Sequence, residues 1–199
     1  MGSEAVVGQI YLIRHGETEW SLSGRHTGLT DLPLTARGEA QARSIGERLR
    51  ALEFSTVLTS PLQRARRTCE LAALEAPTHR EDALCEWHYG QYEGLTGAQI
   101  RQRQPGWDVF RNGCPDGESP EQVCRRADAL IERLRGLDGR VALFSHGHFL
   151  RALAVRWIGL PLVHGSNFGL EAGAISQLGY EHQRIEEPAI ELWNMASGV

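Results

Sequence analysis

All 21 basic residues of this 199-residue chain are arginine, which removes Schiff-base chemistry and a P-loop lysine from consideration. The net charge of -4 and pI near 6.1 exclude a general electrostatic footprint for nucleic acid, so an anionic ligand has to be held by a local cluster of guanidiniums. No apolar run reaches the roughly 18 residues of a membrane helix, and four cysteines without C-x-x-C spacing fit a reduced, cytoplasmic protein rather than a disulfide scaffold.

At 22.1 kDa the chain suits one domain, residues 1–199, able to bury about 70% of the surface its unfolded form exposes. The amino terminus has no basic or apolar leader, and Val6 stands where a myristoylation signal following Met1-Gly2 requires Ser or Thr. Ile10-Tyr11-Leu12-Ile13 reads as a short apolar strand, after which the composition flips to Arg14-His15-Gly16-Glu17-Thr18. An imidazole at a strand end is well placed, because open α/β sheets bind ligands at the carboxyl edge. Gly16 lets the chain turn sharply there and leaves room against the ring.

Residues 21–34 form a polar, glycine-punctuated loop longer than a simple connection needs. Thr35 caps a helix whose apolar positions Ala42, Ile45, Leu49 and Leu52 recur every three or four residues. A second strand, Thr56-Val57-Leu58-Thr59, leads into Ser60-Pro61-Leu62-Gln63, read as cap, first-turn proline and N3 partner of a helix starting at the strand end. That helix turns Arg66 and Arg67 to solvent and places Arg64 in its first turn, where a cation opposes the dipole unless an anion is present.

Residues 78–85 offer a weak strand, followed by the aromatic stretch Glu86-Trp87-His88-Tyr89-Gly90. Residues 98–117, with five Gly or Pro breakers, read as an irregular lid or pocket wall. Ser119, Pro120 and Gln122 open a helix with Val123, Ala127, Leu130, Leu134 and Leu137 on one face. Val141-Ala142-Leu143-Phe144 is a buried strand ending at Ser145-His146-Gly147-His148, and a helix follows through Leu150, Leu153 and Trp157. Residues 174–180 and 184–193 add two strands. The sum is an α/β domain.

Three strand ends thus carry Arg14 with His15, Arg64, and His146, with Glu86 in a nearby loop. Two guanidiniums, two imidazoles and a carboxylic acid are what phosphoryl transfer through a histidine requires. Arginine forks neutralise and orient a phosphate, the adjacent cations keep His15 neutral and nucleophilic, and Glu86 protonates the leaving alkoxide. Arg25, His88, Arg101, Arg103 and Arg111 are candidates for contacting the rest of a substrate. His146-x-His148 with His15 or His88 offers a zinc alternative, although no third ligand stands at the usual spacing. Glu17 reads as an orienting residue, and Trp157, Trp193 and Phe144 as core.

The segments LIRHGETEW, GRHTGLTDLPLT, TSPLQRA, EWHYGQYEG and SHGHF, in this order, resemble the histidine phosphatase superfamily, or phosphoglycerate mutase-like family. RNGCPDGES and SHGHFLRALAVRW look most like its small acid phosphatases and sedoheptulose-bisphosphatase-like members. The resemblance implies a three-layer α/β/α sandwich with a mostly parallel central sheet. It further implies a phosphohistidine on His15 with no metal and no cofactor. Arg14, Arg64 and His146 would line the phosphate pocket, and Glu86 would donate the proton. Ser21, Thr27, Gly28, His88, Tyr89 and Gly147 would contact substrate. The expected partner is a small phosphorylated metabolite, with no nucleic acid or membrane, and a homodimer is left open. The alternative is a 2,3-bisphosphoglycerate-dependent mutase. Against it stand the absence of lysine, the confinement of the arginine pairs Arg66-Arg67 and Arg125-Arg126 to predicted helices, and Ser21 where mutases carry asparagine. A phosphate-binding module without turnover is the remaining non-enzymatic reading.

Overall fold

A computed structural model describes residues 8–199; the amino-terminal reading at Met1, Gly2 and Val6 lies outside them. In chain order the strands are β1 (Gln9–Arg14), β2 (Thr56–Thr59), β3 (Thr78–Arg80), β4 (Arg140–Ser145), β5 (Ile175–Tyr180) and β6 (Pro188–Met195). The helices are α1 (Glu19–Leu22), α2 (Ala36–Leu49), α3 (Gln63–Ala72), α4 (Gly97–Arg103), α5 (Val109–Asn112), α6 (Pro120–Arg135) and α7 (Gly147–Trp157).

The six strands form one sheet in the order β3-β2-β4-β1-β5-β6. The pairs β1–β4, β2–β4 and β2–β3 are parallel, whereas β5 runs against both β1 and β6. Five strands therefore share one direction. The central pair is nearly continuous in apolar residues because both its faces are covered. Ile13, Val57 and Phe144 pack with Ile45, Leu49 and Cys69 of α2 and α3 on one face. Ile10, Leu12 and Leu143 pack with Val123, Leu130, Leu134, Leu150, Leu153 and Trp157 of α6 and α7 on the other. The architecture is the expected α/β/α arrangement. Among the described residues no helix is long and apolar enough to cross a membrane.

The caps expected at Thr35 and Ser119 form. Thr35 Oγ1 accepts from the Gly38 amide at 3.0 Å, and Ser119 and Gln122 exchange bonds as a capping box. Trp157 and Phe144 are buried, while Trp193 is half-buried on the outer strand β6.

Four expectations need correction. The helix after β2 begins at Gln63 with Leu62 as its uncapped N-cap; Ser60 sits two residues upstream of that cap, where its hydroxyl accepts from the Leu62 amide at 3.3 Å and from His146 at 2.8 Å. Gln63 donates to the Asp31 carbonyl instead of closing a capping box. Residues 98–117 are not irregular throughout: Thr96 and Gln99 form a capping box for α4, and Asp108 caps α5. The residue after His15 is glycine for a different reason from the one expected. A Cβ on Gly16 would stand 2.3 Å from the Gly38 carbonyl oxygen, so the turn lies directly on the backbone of α2.

Candidate active site

His15 and His146 leave the carboxyl ends of the neighbouring strands β1 and β4, whose last residues Arg14 and Ser145 are register partners. The imidazole centroids stand 5.2 Å apart. His15 Nδ1–H donates to the Gly16 carbonyl at 2.8 Å, which fixes the tautomer and leaves Nε2 as a free lone pair. Burial, then Arg64, then Arg14 push its pKa well below the ordinary 6.5, so the ring is neutral at physiological pH.

Arg14 donates Nη1 to the Leu170 carbonyl. Its Nε–H is buried without an acceptor, and the nearby Gly147 would bring a Cβ within 3.3 Å of it. Among the described residues Arg14 forms no ion pair. It thus retains donor capacity for an oxyanion.

Glu86 is buried and accepts three backbone N–H groups: Trp87 and Phe149 on Oε1 at 2.8 and 2.9 Å, and His148 on Oε2 at 3.0 Å. The last two belong to the first turn of α7, so the carboxyl oxygens take up amides that the helix end leaves without an intrahelical partner. A cavity of about 200 Å³ joins these groups. Its wall includes Arg14, His15, Ser21, Thr27, Glu86, Tyr89 and Gly147, seven of the expected site residues, together with Gly24, Arg25, His26, His148, Arg151 and Leu170.

Four expected residues stand outside that wall. Arg64 is fully buried and holds the 27–30 loop: its Nη groups donate to the Thr27, Gly28 and Thr30 carbonyls at 2.9 to 3.0 Å, and its Nε donates to His146 Nδ1 at 3.1 Å. With Nδ1 accepting, His146 carries its proton on Nε2 and donates it to Ser60 Oγ at 2.8 Å. Both its nitrogens are engaged, and burial and Arg64 push its pKa well below 6.5. Gly28 is buried with its amide on Glu93 Oε1 at 2.8 Å, an oxygen that also accepts from the Thr30 amide at 3.2 Å. The His88 amide donates to Glu118 Oε2 and its carbonyl accepts from the Glu118 amide, both at 2.9 Å, and Arg126 grips the Glu118 carboxylate with both prongs.

Glu17 does not orient Arg14; it accepts from Thr35 Oγ1 at 2.8 Å and Arg37 at 3.2 Å. Of the other arginine candidates, Arg25 lines the cavity and Arg101 an adjoining chamber, while Arg103 and Arg111 are exposed beyond both. Four wall residues, Gly24, His26, Arg151 and Leu170, escaped the sequence reading of the site. Arg151 was legible by spacing, since Gly147, His148 and Arg151 fall on one face of α7. His26 stands in the 21–34 loop within the segment GRHTGLTDLPLT, directly before the expected contact Thr27.

The description of the histidine phosphatase superfamily, branch 1, matches residues 10–196. The chain belongs to the histidine phosphatase superfamily. It is 46% identical over 178 residues to an acid phosphatase of Mycobacterium tuberculosis, covering 87% of each chain. It is 33% identical to a sedoheptulose 1,7-bisphosphatase of Saccharomyces cerevisiae, covering 91% of this chain and 90% of the relative. A probable phosphoglycerate mutase of Photorhabdus laumondii is 35% identical, with 87% and 86% covered. Among solved structures, an open-reading-frame product of Mycobacterium tuberculosis superposes with a TM-score of 0.89 at 39% identity, over 96% of this chain and 98% of that one.

Proposed function

We propose that the protein is a phosphatase that hydrolyses phosphomonoesters of small metabolites through a phosphohistidine on His15. The observation that carries this reading is the state of His15: its Nδ1 proton is bound to the Gly16 carbonyl, its Nε2 lone pair is free, and Arg14 and Glu86 share its cavity. In the proposed reaction Nε2 attacks phosphorus as the ester P–O bond breaks, with Arg14 neutralising the oxygens. The leaving alkoxide takes a proton from Glu86, whose carboxyl is held in place by the amides of Trp87, His148 and Phe149. The resulting Glu86 carboxylate then takes a proton from water as the water oxygen attacks the phosphohistidine. Phosphate leaves and His15 returns to its starting form.

Relatives named as phosphatases support hydrolysis over transfer, as does the lack of lysine in the whole chain. The probable mutase relatives make phosphoglycerate isomerisation the reading to test beside it. The experiment is phosphate release from a panel of monoesters, including sugar phosphates and bisphosphates, with acid quenching to trap protein-bound phosphate. Release with a trapped, acid-labile phosphohistidine is expected. Isomerisation of 3-phosphoglycerate dependent on 2,3-bisphosphoglycerate, faster than any release, would replace hydrolysis with transfer. A panel with no release and no label would leave a binding module.

A further inference from the structure

A second cavity of about 160 Å³ shares three lining residues, His26, His148 and Arg151, with the cavity beside His15. His26 and His148 stand with ring planes 4° from parallel and centroids 5.6 Å apart. Their hydrogen-bond states follow from their partners. His26 Nδ1–H donates to the Leu95 carbonyl at 2.9 Å, so its Nε2 is a lone pair. Tyr89, 1% exposed, has no acceptor for its hydroxyl among the described residues except His148 Nδ1. A buried phenol without an acceptor is costly, so Tyr89 O–H donates and His148 carries its own proton on Nε2.

The shared wall therefore offers one acceptor, His26 Nε2, and one donor, His148 Nε2–H, and neither has a partner among the described residues. Burial keeps both rings neutral by pushing their pKa values down, further for His148. This pairing discriminates between ligand groups. A phosphate dianion or a carboxylate only accepts, and the His26 lone pair repels it. An alkyl or aryl group satisfies neither nitrogen and leaves both desolvated. A hydroxyl both donates and accepts, and matches the pair. The guanidinium of Arg151, whose Nε is committed to the Gly165 carbonyl at 2.8 Å, attracts an anion more strongly than a hydroxyl, so an anionic group on this wall has to sit at Arg151 and away from the His26 lone pair.

We propose that His26 and His148 form a hydroxyl-reading subsite, so that the ester hydrolysed at His15 is the phosphate of a polyhydroxylated carbon chain. The subsite rests on the phosphatase reading above and names its substrate class. The test compares kcat/KM for a hexitol 6-phosphate and for hexyl phosphate, which has the same carbon count and no hydroxyls, with p-nitrophenyl phosphate as a third substrate. Wild type should favour the hexitol ester by about 30-fold, the range of one or two hydrogen bonds left unmade.

His26→Asn keeps an amide to bond Leu95 but has no atom at Nε2, and should cut that preference roughly tenfold, chiefly through KM for the hexitol ester. His26→Gln, which extends an amide toward the Nε2 position, should restore part of it. Equal rates on the two esters in wild type, or a preference unmoved in His26→Asn, would overturn the subsite while leaving hydrolysis intact. Turnover of p-nitrophenyl phosphate alone would overturn it as well. Failure on all three substrates would remove the phosphatase reading itself.

Discussion

Two turns of this molecule are written almost alike, with strand, histidine and glycine in succession, yet their histidines have opposite freedoms. His15 has one nitrogen bound by its own loop and one facing the cavity. His146, at the next strand, has both nitrogens engaged by Arg64 and Ser60 and no exposed surface. A shared position at the sheet edge delivers the ring, but the partner of each nitrogen decides what the ring can do. Under the proposed function His15 reacts, and His146 holds Arg64, and through it the 27–30 loop, in place.

Removing each ring should separate these roles. His15→Ala should lower kcat/KM by about four orders of magnitude or more and abolish the trapped phosphoenzyme, as loss of a nucleophile does. His146→Ala should lower kcat by about 100-fold, on the scale of losing one oriented electrostatic group, while label still appears on His15. Label retained in His15→Ala, or lost entirely in His146→Ala, would reverse the assignment. Ser60→Ala removes the far partner of His146 together with the 3.3 Å acceptor of the Leu62 amide, and should cost about 5-fold in kcat, the worth of one neutral hydrogen bond. No change on this substitution would mean that the Ser60 contact does not hold the ring.

A pH experiment sharpens the comparison from its common side. Both rings, together with His148, have pKa values held well below 6.5, with burial the largest cause. The unfolded chain therefore takes up protons near pH 6.5 that the folded chain refuses. The stability these rings permit is complete above that pH and falls as pH drops below it. Each refused proton contributes about 1.4 kcal/mol per pH unit to the slope. Denaturant unfolding from pH 7.5 to 5, in parallel with imidazole NMR titration, checks the sign. Rings that protonate above 6.5, or stability that rises in acid, would contradict the buried neutral pair.

Much of this arrangement was readable from the chain because strand ends and helix starts leave strong local marks. The composition flip after Ile13, the capping box at Ser119 and the near-continuous apolar run before Ser145 each specify their element without help from elsewhere. Of the site, Arg14, His15 and Glu86 fall together as their positions suggested. What the sequence did not carry is which donor meets which acceptor across distant segments. Ser60 looked like a helix cap because its local pattern is that of one, yet the helix starts three residues later, and beside its contact with the Leu62 amide its hydroxyl takes a bond from His146, 86 residues away. Arg64 looked unsatisfied in its first turn for the same reason, since the Thr27, Gly28 and Thr30 carbonyls are remote in sequence.

The 27–30 loop is gripped on both sides of its backbone, with carbonyls on Arg64 and amides on Glu93. A polar loop free to move would cost about 1–2 kcal/mol per residue to order around a ligand. Held from the two sides, this stretch is ordered before a ligand arrives, and Thr27 stands on the cavity wall already in position. Small ligands have few atoms with which to offset such a cost. The rim beside His15 can therefore select by shape among molecules too small to reshape it.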